Sequence, residues 1–438
     1  MDLTLVGIFA IIGLLLFLLL GTYIAIDFLF IGLAGSIIIL GMKPALQLLG
    51  QTMYHSIATP NFAALPLFVL MGAFAARGGF AKKAYEGVQG MTAGLPGSLA
   101  IASCFGCAAF GAISGSSLAT AAIFGKLALP EMQRYKYNKK LALGSIAAAG
   151  TFAAMIPPSG GFIVYAIFTG QSVGRLFMAG ILPGLITAVV YSLSIMIRVK
   201  RNPDLAPTDK EEKKDFKGRI SSVSKIWTIA LLAIIVLGGI YSGLFTPTEA
   251  AAAGAFATLL LGIQQGKIRK FSIVKEALRE SAATTSMIFL IIISALFFSR
   301  FLAITQIPNK LSMMVQSLTC PNIFILIAIL FLWFILGMII IPTGIFALTL
   351  PIVFPIIVNL GYDPIWFGVI SLKLSEIAAV TPPVGLNVYA LKGVAGKETT
   401  IEEVFSGIWP FVICDIIVLI LLLMFPEITL WLPNLMAK

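Results

Sequence analysis

Residues 153 to 161 read AAMIPPSGG, and residues 378 to 386 read AAVTPPVGL. Each places two consecutive prolines inside apolar sequence that reads as membrane-embedded, followed by a small-residue exit. Proline has no N–H and its ring clashes with the preceding turn, so each pair frees carbonyl oxygens from their helical bonds. In hydrocarbon an unsatisfied polar group is costly, so such a break persists only against protein or a wet cavity. Freed carbonyls and nearby hydroxyls are hard oxygen donors suited to an alkali cation, while the N-terminus of a restarting half-helix favours an anionic group. Each break can therefore hold a coupling cation and a carboxylate side by side.

The hydroxyls near the first break are Ser114, Ser116 and Ser117, with Thr151 and Ser159; those near the second are Thr343 and Thr381. The competing role for each is a bond back to its own helix's i−4 carbonyl. Four ionisable residues fall at membrane depth: Asp27, Lys373, Glu376 and Asp415. Such residues are functional candidates by default. Lys373 and Glu376 are spaced i, i+3, which predicts mutual neutralisation on one helix face. Asp415 has no sequence-local partner and could bridge to another subunit or to the region of Asp27. Cys104 and Cys107 form a CxxC within ASCFGCAAFGA, which reads as small packing residues and not as a metal or redox site. His55 is the only histidine and is expected in an outside loop.

The elements that must position these residues follow from composition. Of 438 residues, 59% are hydrophobic and 11% charged, and mean hydropathy is +1.02; soluble domains carry roughly a quarter charged residues. Apolar runs of spanning length recur, for example over 3–20, 22–40, 226–243, 283–299 and 411–425. They lack period-two alternation, which excludes a strand barrel. The first run has no basic leader or cleavage site and is expected to stay as a helix. The net charge of +11 sits in short loops, at 77–83, 134–140, 198–219 and 267–270. That pattern marks cytoplasmic loops, not a nucleic-acid surface.

With those loops as fixed points, residues 1–197 form a first half and 225–438 a second, joined by a cytoplasmic connector over 198–224. Each half carries a re-entrant helical hairpin (about 95–129 and 322–357) and then a broken transmembrane helix (about 141–170 and 365–393). The hairpins are interrupted at residues 111–117 and 341–344. An interfacial segment, FSIVKEALRES, precedes a separate span at 283–303, and 404–431 make the last span; both termini are expected outside. Gly111 to Pro157 is 46 positions, Gly337 to Pro382 is 45, and the two proline pairs are offset by 225. The expected fold is an all-α polytopic inverted repeat, an architecture whose paired broken segments mark the binding site of secondary transporters. No HExxH, P-loop or G-x-S-x-G supports an enzyme or an ATP-driven pump.

The blocks FGAISGSSLATAAIFGKLALPEMQRYKY (110–137), MIPPSGGFIVYAIFTGQSVGRLFMAGILPGL (155–185), FTPTEAAAAGA (245–255) and EIAAVTPPVGLNVYALKGVAG (376–396) resemble the large membrane subunit of the tripartite ATP-independent periplasmic (TRAP) transporters. The resemblance covers essentially the whole chain. It implies an elevator-type carrier in a bacterial inner membrane, with the hairpins and broken helices moving against a scaffold. It implies a small four-helix membrane subunit and a periplasmic binding protein as partners, and a C4-dicarboxylate or sialic acid as cargo. Import would be driven by sodium, with no other cofactor. Carried onto this sequence, one sodium site would use Gly111, Ser114, Ala153, Ile156 and Pro158, and the other Gly337, Ala378, Thr381 and Val384. The substrate would sit near Ser116, Thr343, Pro383 and Asn387. Two departures stand out: many relatives have an acidic residue where this chain has Ile341, and often Gly at Ala153 and Ala378. The alternatives are a stand-alone divalent-anion/sodium symporter, an intramembrane enzyme using Ser114 or Glu376, and a structural scaffold.

Overall fold

The computed structural model describes residues 2–435 apart from 59, 208–221, 223, 318 and 397, and every regular element among them is helical. In chain order the helices are α1 (Leu3–Leu19), α2 (Ile24–Leu40), α3 (Met42–Ile57), α4 (Ala64–Arg77), α5 (Phe80–Thr92), α6 (Ser98–Ser114), α7 (Ser117–Arg134), α8 (Lys139–Ala153), α9 (Gly160–Thr169) and α10 (Val173–Arg201). They continue with α11 (Ser224–Tyr241, containing a π-helical turn), α12 (Pro247–Gln264), α13 (Phe271–Ile304), α14 (Ile307–Gln316) and α15 (Asn322–Gly337). The last five are α16 (Pro342–Asn359), α17 (Pro364–Ala378), α18 (Leu386–Val394), α19 (Ile401–Met424) and α20 (Glu427–Leu435). Most of the expected connector lies outside the described residues.

Five of these, α10, α11, α13, α16 and α19, are long and apolar enough to cross a bilayer alone. The chain is thus an all-α, polytopic membrane protein. Several other apolar helices, α6, α9 and α15 among them, are shorter than a span. Among the described residues the helices pack in two groups. In one, α12 lies on α4, and α13 lies on α2, α3 and α4. In the other, α8 is enclosed by α6, α7 and α19, while α15, α16, α9 and α10 pack around α17. The groups meet where α4 touches α6 and α9, and where α13 touches α16.

Local sequence explains the helix ends near the breaks. Ser116 caps α7 by accepting from Ala119 N, and Ser159 caps α9 by accepting from Phe162 N. Asn138 caps α8 and Asp363 caps α17, as short polar side chains do at orphan N–H groups. Helices α8 and α17 are both 15 residues long, and their first residues are 225 positions apart. Every residue from Leu141 to Ala153 and from Ile365 to Ala378 is buried. A helix apolar or small on all sides belongs in the interior. Close packing there depends on small residues: a Cβ on Gly144 would lie 2.0 Å from the Gly407 carbonyl oxygen. This is backbone-to-backbone contact of the kind small residues permit in membranes.

Four expectations are corrected. The FSIVKEALRES segment and the following span are one continuous 34-residue helix, α13, because no residue between them interrupts the hydrogen-bond ladder. The last span stops at Met424, and the chain restarts beyond Pro426 as α20, since proline cannot continue the ladder. His55 lies in the last turn of α3, an amphipathic helix, and not in a loop. Lys373 does not neutralise Glu376. It pairs instead with Asp415 of α19 and donates to Thr187 Oγ1 of α10 at 3.1 Å. Tyr191 donates to the other Asp415 oxygen at 2.6 Å, so Asp415 needs neither a second subunit nor Asp27. Asp27 itself accepts from Thr22 at 2.8 Å.

The Lys373–Asp415 pair is almost wholly buried and ties α17 to α19 and α10. Removing one member leaves the other charge uncompensated. Asp415→Asn should therefore cost about 3–5 kcal/mol, whereas the double substitution Lys373→Met with Asp415→Leu should recover most of that loss. Apparent melting temperatures of the detergent-purified variants check both outcomes; a double variant no better than Asp415→Asn would refute the account.

Candidate functional site

At the first break the helix α8 ends at Ala153 and α9 begins at Gly160. The residues four positions beyond Ala153 and Ala154 are Pro157 and Pro158, which have no N–H to give. The Ala153 carbonyl accepts only a long bond, from Ile156 N at 3.3 Å. At the second break Ala378 and Ala379 stand in the same relation to Pro382 and Pro383. Their carbonyls accept from Thr381 N at 3.0 Å and Asn387 N at 3.2 Å. Both Pro–Pro bonds are cis.

A hairpin tip packs on each break. In the first hairpin the interruption is only Gly115–Ser116, narrower than the expected 111–117, because α6 stays helical through Ser114. Gly115 takes the left-handed conformation, φ 61°, that glycine supplies at least cost. A Cβ on it would meet the Pro158 carbonyl oxygen at 2.5 Å, and Gly160 N donates to the Gly115 carbonyl at 3.4 Å. A Cβ on Gly111 would meet the Ala153 carbonyl oxygen, also at 2.5 Å. In the second hairpin the break covers residues 338–341, and Pro342 already opens α16. There a Cβ on Gly337 would meet the Ala378 side chain at 2.5 Å. The same glycine-on-alanine contact thus joins hairpin to broken helix in both halves.

Of the first proposed cation set, Gly111 meets Ala153 and the tip beside Ser114 meets Pro158, while the Ile156 side chain points away, toward Gly184. The Ser114 hydroxyl is engaged with Thr120 Oγ1 at 3.0 Å. Of the second set, Gly337 meets Ala378, Thr381 adjoins it through its N–H, and Val384 lies in the turn before Gly385. The hydroxyl of Thr381 does make the i−4 back-bond, to Ile377 O at 2.8 Å, and Thr151 bonds Ala148 O at 2.7 Å. A hydroxyl that donates to a carbonyl keeps lone pairs for a cation. The donors at both breaks are carbonyls and hydroxyls, a set that fits an alkali ion. No grouping of His, Cys, Asp and Glu suited to a metal occurs among the described residues.

A cavity of about 310 Å³ opens where the two helix groups meet, within the range of about 300–1,000 Å³ usual for small-ligand sites. Both hairpin tips reach it, the first through Ser114–Ser117 and the second through Ile341–Thr343. Pro158, Gly160 and Gly161 of the first break and Glu376 of α17 complete that side. Gly72 of α4 and Glu280, Thr284 and Met287 of α13 face them. Ser116 and Thr343 of the proposed substrate set thus share one cavity. Pro383 is exposed and Asn387 is buried, and neither lines it. Both amide atoms of the Asn387 side chain lack a partner.

Sequence spacing missed the contact that brings Glu376 into the site. Ser117, at the start of α7, donates to Glu376 Oε1 at 3.3 Å across 259 positions of chain. Nor did the sequence reading connect Gly72 with the first hairpin, where a Cβ would lie 2.9 Å from the Ser114 carbonyl oxygen.

Comparison with known proteins accords with this architecture. Residues 11–428 match the family model described as "Tripartite ATP-independent periplasmic transporter, DctM component". The chain is 34% identical over 407 residues to a C4-dicarboxylate TRAP transporter large permease protein of Pseudomonas aeruginosa, covering 92% of this chain and 93% of that one. It is 33% identical over 419 residues to an isethionate TRAP transporter permease protein, DctMQ, of Oleidesulfovibrio alaskensis, covering 95% of this chain and 64% of that one. In fold it resembles the YdaH transporter of Alcanivorax borkumensis, with a TM-score of 0.64 at 15% identity over 90% of each chain. Its relatives are permeases, so the chain is a subunit of a membrane transporter and not an enzyme. With sequence similarity spanning nearly its whole length, this protein belongs to the DctM-component family of TRAP transporter large permeases.

Proposed function

We propose that this subunit is the sodium-driven carrier of a tripartite importer, moving a small carboxylate from a periplasmic binding protein into a bacterial cytoplasm across the inner membrane. The observation that carries the reading is the cavity walled by both hairpin tips on one side and by α4 and α13 on the other. A site built at the seam between two packed helix groups can change its exposure if one group slides past the other as a unit, which is an elevator motion. The matched order of hairpin, buried helix, Pro–Pro break and half-helix in the two halves supports an inverted repeat. The carbonyl-and-hydroxyl donors favour sodium over a divalent metal as the coupling ion.

A C4-dicarboxylate is the first cargo to try, given the P. aeruginosa relative's name; a sialic acid or similar sugar acid is the next. The O. alaskensis permease extends well beyond the length matched here, and its name joins two components, DctM and Q. That supports a small membrane subunit as a separate partner for this chain. Selectivity would rest largely with the soluble binding protein.

Reconstitution tests the reading directly. Proteoliposomes holding this chain and the small membrane subunit should take up labelled succinate or sialic acid only when both the binding protein and an inward sodium gradient are present. Uptake without the binding protein would instead establish a stand-alone symporter. Thr381→Val should raise the half-saturating sodium concentration about tenfold, yet lower stability by only about 1 kcal/mol. Wild-type sodium dependence in that variant would remove Thr381 from the site. Gly111→Val should abolish uptake, because a Cβ there meets the Ala153 carbonyl and must displace the hairpin from the break; Gly50→Val, where a Cβ meets nothing within 4 Å, serves as the control and should transport normally.

A further inference from the structure

We propose that the seam between α10 and α19 binds an anionic phospholipid, with the Arg198 guanidinium holding the lipid's phosphate. Three basic residues stand in the last turn of α10: Arg198, Lys200 and Arg201. Lys200 and Arg201 are exposed, as expected of side chains that complement the orphan carbonyls at a helix end. Arg198 differs from them. It is half-buried, and its Cζ lies 5.8 Å from the centroid of the Phe411 ring of α19, itself buried. Side chains lean toward the N-terminus of their own helix, so this one turns back from the end of α10 toward the middle of the span. Along α19, about 15 Å of helix separates Phe411 from Ile401. Near Ile401, Glu403 pairs with Lys139 of the basic loop at 134–140. The guanidinium is therefore held deeper than the loops, against the ring.

A guanidinium carries five N–H donors and stays charged. Among the described residues Arg198 enters no ion pair, and its Nη1 is buried without an acceptor. The one acid of α19 beyond its first turn, Asp415, is taken by Lys373 and Tyr191. The Phe411 ring steadies the charge through its face but cannot serve as a hydrogen-bond acceptor for the whole fork. A cation left in that state within a bilayer is costly, so it must draw an anion to itself.

The neighbours say which anion can reach it. Helices α10 and α19 pack on one another, and Leu193 and Ile197 of α10 and Trp409 and Ile413 of α19 are exposed apolar residues. In a membrane they face acyl chains, so an anion arriving along this seam has to bring chains with it. The phosphate diester of a phospholipid presents two free oxygens to the planar fork, a match that arginine makes and lysine does not. Lys200 and Arg201 add positive charge nearer the loop, where the headgroup would lie, which favours a lipid with net negative charge. This site needs only that the chain lies in a bilayer, so it stands whatever the cargo and coupling ion.

Native mass spectrometry of the detergent-purified full chain, titrated with dioleoylphosphatidylglycerol, tests the assignment. One lipid should bind well above the rest, and Arg198→Gln should weaken that binding about tenfold. Dioleoylphosphatidylcholine has the same chains and phosphate but no net charge, and should bind about tenfold more weakly than the glycerol lipid. The control is Arg134→Gln: Arg134 is exposed and also lies over a ring, 5.9 Å from the Tyr135 centroid, yet its loss should leave the affinity unchanged. Wild-type affinity in Arg198→Gln, equal binding of the choline lipid, or an equal fall in Arg134→Gln overturns the proposal. Glycerol phosphate that displaces the lipid at comparable concentration would make this a soluble-anion site, and also overturns it. Added small membrane subunit should leave the lipid bound; displacement would give the seam to that subunit and refute the lipid. If Arg198→Gln does not fold, Arg198→Lys replaces it. That variant keeps the charge without the fork and should still bind more weakly than wild type; unchanged affinity there is equally fatal to the assignment.

Discussion

The structure depends on the absence of water around backbone polar groups inside a bilayer. Two Pro–Pro pairs withdraw four N–H groups at membrane depth, and the carbonyls of Ala153, Ala154, Ala378 and Ala379 lose their helical partners as a result. Such groups survive there only if the protein surrounds them. That requirement explains why α8 and α17, the helices leading into the breaks, are buried on every side. It also explains why a hairpin closes over each break through a glycine, Gly111 on Ala153 and Gly337 on Ala378. The carbonyls at each break are thereby held in place by packing against protein and not by water.

The charged groups obey the same constraint. Three of the four acidic or basic residues that the sequence places at membrane depth near the site are Lys373, Glu376 and Asp415, and they divide into unlike roles. Lys373 and Asp415 neutralise one another and join three helices. Glu376 is left facing the cavity with a single hydroxyl for company. A buried ion pair is weak evidence for stability, since desolvation offsets much of its attraction; its value here lies in holding α17, α19 and α10 in one register. Because Asp415 holds Lys373, the Glu376 carboxyl on the same helix keeps no ion-pair partner among the described residues.

Much of the site was legible in the sequence, and the reason is local. Proline pairs, glycines and capping serines act through their own backbone, so AAMIPPSGG, AAVTPPVGL and an interruption somewhere within 111–117 are announced without reference to the rest of the chain, though not its narrowing to Gly115–Ser116. Other readings failed where a longer-range partner decided. The i, i+3 spacing of Lys373 and Glu376 suggested a pair, but Asp415 and Thr187, brought up by other helices, bind the Lys373 ammonium in a fully buried site. The polar FSIVKEALRES stretch suggested an interfacial segment, yet its residues favour helix as readily as the apolar ones that follow, and α13 runs through both.

The sequence by itself determined that the chain is a multi-pass membrane protein, that its helices break twice in matched positions, and that oxygen donors gather at those breaks. These follow from hydropathy and from the covalent structure of proline and glycine, which no tertiary context can alter. Only the tertiary structure decided that both hairpin tips share one cavity with Glu376, and that Pro383 and Asn387 stand outside it. It alone brought Gly72 against Ser114 and Ser117 against Glu376. Contacts between residues tens to hundreds of positions apart are set by how whole helices pack, and the spacing of residues along a single helix carries no record of which neighbour will lie across from it.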